Sequence, residues 1–171
     1  MDRPTRPRRS RPPPPVPWRG AAQVAAGEGL SPRQQERIEQ AVERCRAENG
    51  LDLSVLVGDL ELDDLGQFRA ACERLHAALG ERSRAAVLFV VAPGQRRVEI
   101  VTGPEARRRV PDRVSALAVL AMTSAFREGD LAGGIVEAAK QVASAAGRRA
   151  LPAAPDKAEA ATSEVAVRSG H

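Results

Sequence analysis

Cys72 and His76 stand four residues apart, the spacing that makes two side chains neighbours on a helix. A thiol beside an imidazole is the pairing that generates a thiolate nucleophile or supplies half of a zinc site. No further Cys, His or acid joins them at ligand spacing, and the only other histidine is the final residue, His171. Both members also flank an apolar stripe formed by Phe68, Cys72, Leu75 and Leu79. The pair therefore reads as part of a core.

A second group is the acidic loop Asp59-Leu60-Glu61-Leu62-Asp63-Asp64, whose alternating carboxylates resemble a calcium loop. The template fails at two places: its sixth position, which demands glycine, is Asp64, and its twelfth, which demands a bidentate glutamate, is Ala70. Asp63 or Asp64 is better placed to cap a following helix. A third group, Arg107-Arg108-Arg109 with Arg113, has the donors to receive a phosphate or an acidic partner. No aromatic lies near it, so single-stranded nucleic acid has nothing to stack on. A solvated turn is the simpler reading.

The elements that position these residues are clearly punctuated. Ser31-Pro32-Arg33-Gln34 is a capping box with proline at the first helical position. It opens a helix with Ile38, Ala41, Val42 and Cys45 on one stripe, stopped by Asn49-Gly50. Leu51 to Val57 is a short apolar run and predicts a buried strand. A second helix runs from about Asp64 to Leu79, with Gly80 as its stop. Ala85 to Ala92 is the most apolar segment and predicts the central strand; Pro93-Gly94 turns the chain, and Arg97 to Thr102 returns as a half-exposed hairpin partner. Two helices finish the body, one over roughly Pro111 to Phe126 and one from an Asp130 cap to Gly147. This order predicts an α/β fold, a small three-layer sandwich. Its mixed sheet has two parallel strands plus an antiparallel hairpin strand, covered on both faces by about four helices.

One ordered set of residues runs through these elements: Val87-Leu88-Phe89-Val90-Val91, Arg96, Ile100, Gly103, Asp112, Gly129-Asp130 and Gly134. In that order they resemble the TPM domain family, in its short actinobacterial version of unknown function, over about residues 30–146. The resemblance implies the same α/β fold. Relatives are linked to weak acid phosphatase activity, calcium binding, photosystem assembly and receptor modulation, so it implies a fold more firmly than an activity. The chain departs from the family after Gly103, where Pro104-Glu105-Ala106-Arg107-Arg108-Arg109 replaces a Gly-Tyr-Gly-Leu-Glu-like loop. Asp112 and Asp130 match the family's acidic positions, and Asp112 is the metal candidate. The two are separated by a helix of about 15 residues, roughly 22 Å along its axis, so an unbroken helix keeps them from sharing one ion. Asp112 is expected near Asp52, and Asp130 near the acidic loop. Each also suffices as a helix cap.

Charge is unevenly spread. Residues 1–19 carry a net +5 and residues 147–171 a net +1, against +4 for the whole 171-residue chain, which leaves the body between them at −2. Basic character thus belongs to the tail, and a nucleic acid or an anionic membrane is expected to engage the protein only through residues 1–29. Only Lys140 and Lys157 are lysines; nearly every positive charge is arginine, as a GC-rich coding sequence gives. Residues 1–29, rich in Arg and Pro, and residues 147–171 have compositions that do not fold, which leaves 30–146 as the α/β domain. Cys45 and Cys72 both fall in predicted helices and read as free thiols; no spacing favours a disulfide between them. No stretch of 18 apolar residues exists and Val24-Ala25-Ala26 is no signal core, so a cytoplasmic location is expected. No cofactor is implied. The sequence supports best a non-catalytic module acting through an unidentified protein partner; the alternative, by family resemblance, is a weak metal-dependent phosphatase.

Overall fold

The computed structural model describes residues 24–26 and 29–148. The readings made for the two terminal tails lie otherwise outside the described residues. Strand β1 (Val24–Ala26) leads to helix α1 (Pro32–Asn49), strand β2 (Asp52–Val57) and helix α2 (Leu65–Ala77). A 3-10 turn (Gly80–Arg84) precedes the hairpin of β3 (Ala86–Ala92) and β4 (Arg97–Thr102). A single helical turn, α3 (Ala106–Arg109), and the helices α4 (Asp112–Arg127) and α5 (Leu131–Ala146) follow.

Local chemistry sets most of these boundaries. At the start of α1 the Ser31 amide donates to Gln34 Oε1 at 2.9 Å while the Gln34 amide donates back to Ser31 Oγ at 3.3 Å. The helix ends at Gly50, whose left-handed backbone (φ 60°) lets its amide cap the last turn. Asp64 caps α2 and Asp130 caps α5 through their carboxylates.

The sheet order is β1-β2-β3-β4, with β1, β2 and β3 parallel and β4 antiparallel to β3. This is the expected α/β sandwich, with one strand more than the three that the sequence predicts. Val24–Ala26 pairs with Val55–Val57 inside the stretch assigned to an unstructured tail. Three residues are too few to show a period-two pattern; β2's free edge, not local propensity, determines their conformation.

Alternate residues of the sheet feed two cores. Leu53, Val55, Val57, Val87, Phe89, Val91 and Ile100 meet Ile38 and Val42 of α1, Met122 of α4 and Ile135, Ala139 and Val142 of α5. On the other face Leu88, Val90 and Ala92 meet Phe68 and Cys72 of α2. Covered on both sides, all seven residues of β3 are buried, which explains its unbroken apolar run. Phe89 is fully buried.

Gly103 and Gly134 mark close approaches. A Cβ on Gly103 would overlap the carbonyl oxygens of Ser83 and Arg84, and one on Gly134 would stand 2.8 Å from the Cβ of Ala125 where α5 crosses α4.

Candidate functional site

Cys72 and His76 sit under the sheet, both buried. The His76 ring Nε2 is 3.1 Å from the Ala86 carbonyl oxygen. Burial, reinforced by the nearby Glu99 carboxylate, pushes the Cys72 thiol up to about 12. A thiol so placed stays protonated and carries no nucleophile at neutral pH. Cys45 belongs to the opposite core, where its Sγ lies 3.6 Å from the Ala139 carbonyl and burial again raises the thiol. The two cysteines are free and lie on different faces of the sheet.

The acidic loop is tied to the hairpin turn. Asp59 Oδ1 accepts from the Gly94 amide at 3.0 Å, and Asp64 Oδ2 accepts from the Gln67 amide at 2.9 Å. Gln95 spans the loop, accepting from the Leu60 amide at 3.1 Å and donating to the Leu62 carbonyl at 2.7 Å. Arg97 donates to the carbonyls of Leu62 and Asp63 while its guanidinium lies 5.7 Å from the centre of the Phe68 ring. Two of the loop's carboxylates thus act as backbone caps.

Arg107-Arg108-Arg109 does not act as one cluster. Arg109 turns inward and donates to the Asn49 carbonyl at 2.5 Å and the Ala146 carbonyl at 3.1 Å, joining the C-terminal ends of α1 and α5. Arg107 instead faces Asp112, with Nε 3.2 Å from the carboxylate. Asp52, expected beside Asp112, is held by a two-pronged contact from Arg82 at 2.8 and 3.0 Å.

Asp112 opens α4 and Asp130, whose Oδ1 accepts from the Gly133 amide at 2.9 Å, caps α5. The intervening helix of 16 residues is about 24 Å long, so Asp112 and Asp130 stand apart. Asp112 lies instead on a groove of about 340 Å³ along β4's outer edge, between α2 and α4. Glu73, Glu99, Arg69 and Ser115 line it too. Arg69 is shared, 3.6 Å from Glu73 and 4.0 Å from Glu99. Burial holds the Glu99 carboxyl above its ordinary range, with Arg69 opposing and Glu73 adding to the rise. Ser115 Oγ is buried and has no hydrogen-bond partner among the described residues. The groove gathers charged side chains of both signs, and sequence spacing gives no sign of it because α2, β4 and α4 each contribute. Among the described residues, no three Cys, His, Asp or Glu side chains stand close enough together to hold a metal ion.

A second surface is apolar. α4 buries Ser115, Ala118 and Met122, yet on its opposite side Leu117 is 56% exposed and Leu120 65%. These two flank a shallow groove shared with Glu137, Lys140 and Gln141 of α5.

Comparison with known proteins places this architecture. Residues 20–144 match the family described as a domain of unknown function, DUF5130. The chain belongs to this family. The matched span includes β1. Two uncharacterized proteins of Mycobacterium tuberculosis strains, Rv2468c and MT2543, are each 36% identical to it over 77 residues, which is 45% of this chain and 46% of theirs. The aligned part thus spans about half the length of the curated relatives it matches. Among solved structures, the N-terminal domain of the cg2496 protein from Corynebacterium glutamicum is similar with a TM-score of 0.60 at 18% identity, covering 76% of this chain and 82% of that one. An N-terminal domain from P. gingivalis gives 0.60 at 22% identity, with 71% and 79% covered. The BA42 protein of Bizionia argentinensis gives 0.61 at 16%, with 70% and 82% covered. At such identities the likeness is one of fold. Among the described residues no helix is long and apolar enough to cross a membrane.

Proposed function

We propose that this DUF5130 domain is a non-catalytic, TPM-like module of the bacterial cytoplasm that works through protein–protein contacts. The observation that carries the reading is the outer face of α4, where two leucines more than half exposed stand in the middle of a helix. Exposed leucines cost little singly, but a pair spaced three residues apart, beside a groove, gives a partner an apolar anchor. The basic residues 1–19 would add long-range attraction to an acidic partner. Affinity capture from the native cell, with wild-type protein beside Leu117→Glu/Leu120→Glu, tests this: a partner should co-purify with the first and be lost with the second. A capture profile identical for both proteins would remove α4 from the reading.

A second reading, a weak metal-dependent phosphatase, rests on the TPM resemblance. The β4-edge groove supports it only through the buried Ser115 hydroxyl, which has no hydrogen-bond partner among the described residues, since Glu73, Glu99 and Asp112 are not gathered closely enough to hold an ion. Saturable, metal-dependent turnover of a phosphomonoester that disappears in Asp112→Asn would put this reading first.

A further inference from the structure

The same face of α4 has a pattern that selects its occupant. Arg113, Leu117, Leu120, Ser124 and Glu128 recur at spacings of three to four residues and so fall along one side of the helix, opposite the buried Ser115, Ala118 and Met122. A basic residue opens this stripe, two leucines and a serine fill it, and an acid closes it. Such a sequence is complementary to itself when read backwards. Among the described residues neither Arg113 nor Glu128 makes an ion pair, and both are exposed.

We infer that α4 is a self-association surface: two copies of this chain pack their α4 helices antiparallel about a two-fold axis, Leu117 of one beside Leu120 of the other. This rests on the reading of that face as a contact surface and names its partner. A two-fold contact is met twice by the same patch, so each favourable pair is formed twice. In the Leu117–Leu120 register, Arg113 of one copy lies level with Ser124 of the other. Glu128 of that second copy is then four residues, about 6 Å, further along the axis. An arginine side chain spans this offset, and both ends of the contact gain an ion pair. A parallel arrangement would set Arg113 against Arg113 and Glu128 against Glu128. The groove beside α4, lined by Ala121 and by Gln141 and Ser144 of α5, gives the second helix a seat. One helix pair buries little area, which puts the dimer in the weak, transient class.

The test is sedimentation of the full chain at increasing concentration, up to about 1 mM, the weak end of measurable association. The wild type should show a reversible monomer–dimer equilibrium. Leu117→Glu/Leu120→Glu, at exposed positions that leave the core intact, should weaken it by at least about a hundredfold. Arg113→Glu and Glu128→Arg alone should each weaken it by about tenfold. An equimolar mixture of these two variants should recover wild-type association, because each then meets its opposite charge at both ends. A protein that stays monomeric throughout overturns the inference, and α4-dependent capture of a different protein would then leave the broader contact reading standing. A dimer indifferent to the leucine substitutions also overturns it, since the interface would lie elsewhere. Single charge variants whose mixture stays as weak as either alone overturn the antiparallel register.

Discussion

Arg109 holds the C-terminal ends of two helices through one guanidinium, and its shortest contact is to the carbonyl of Asn49, 2.5 Å away and 60 positions earlier in the chain. The Asn49 side chain completes the arrangement, donating to the carbonyls of Ala143 at 3.1 Å and Gly147 at 2.8 Å. The last carbonyls of a helix have no partner within it and carry the negative end of its dipole. Arg109 supplies both donors and a positive charge where α1 and α5 end side by side. The arginine-bearing loop after Gly103 therefore serves the fold.

Arg109→Ala is expected to cost about 2–3 kcal/mol, the range for hydrogen bonds to a charged group plus a dipole contribution. Arg109→Lys should recover less than half, because a single ammonium cannot span both helix ends. Denaturant melts of the two variants decide this. Equal stability of wild type and Arg109→Ala would show that water satisfies these carbonyls as well.

Phe89 lies midway along β3, fully buried between β2 and β4 and against the helices of the larger core. Phe89→Ala should destabilise by about 3–5 kcal/mol through lost transfer energy and the cavity left behind. A loss below about 1 kcal/mol in a urea melt would contradict β3's central place in the sheet.

The edge strand makes a prediction about chain length. A protein starting at residue 30 lacks Val24–Ala26 and leaves the edge of β2 unpaired, whereas one starting at residue 20 retains the strand. The shorter form should be less stable by about 1–2 kcal/mol, the value of a few backbone hydrogen bonds, and more prone to associate through the open edge. Indistinguishable melting of the two forms would mean that β1 contributes nothing to stability.

Cys72 gives the fold a pH dependence with a definite sign. Its folded-state value, about 12, is above the 9.0 of an unburied thiol. Below pH 9 both states keep the proton, and the contribution is constant. From pH 9 towards 12 the unfolded chain releases its proton while the folded one retains it, so stability falls by at most about 1.4 kcal/mol per pH unit. Cys72→Ala should melt earlier at pH 8 but lose less on going to pH 10.5. A wild-type slope identical to that of the variant would assign the pH dependence to other groups.

How much of this was legible in the sequence depended on distance along the chain. The Ser31–Gln34 box, the Gly50 stop, the Asp64 and Asp130 caps and the Pro93-Gly94 hairpin are contacts between near neighbours, and their residue types announce them. β3 was legible because burial on both faces leaves it no polar residue. Arg109 was not: its partners come from helices that meet only in three dimensions, and three consecutive arginines look like a solvated turn. Nor was the groove that brings Arg69, Glu73 and Glu99 beside Asp112, since it forms where α2, α4 and the edge of β4 converge. Val24–Ala26 stayed hidden because its conformation depends on a neighbouring strand.

Calcium provides the sharpest test of the acidic residues. A competent site needs six to eight oxygens converging on one point. Asp112 offers one carboxylate, 79% exposed and already facing Arg107. Glu73 and Glu99 face Arg69, so a cation entering the groove must displace two arginines from their partners. At the other end, Asp59, Asp64 and Asp130 spend oxygens on backbone amides. Calcium should therefore bind more weakly than roughly 1 mM, the limit of extracellular modules. Titration calorimetry of the wild type, Asp112→Asn and Asp130→Asn settles it. Micromolar binding abolished by Asp112→Asn would make the β4-edge groove a metal site and bring the phosphatase reading forward. If Asp130→Asn abolished it instead, the site would lie at the far end of α4, with the acidic loop as its other half.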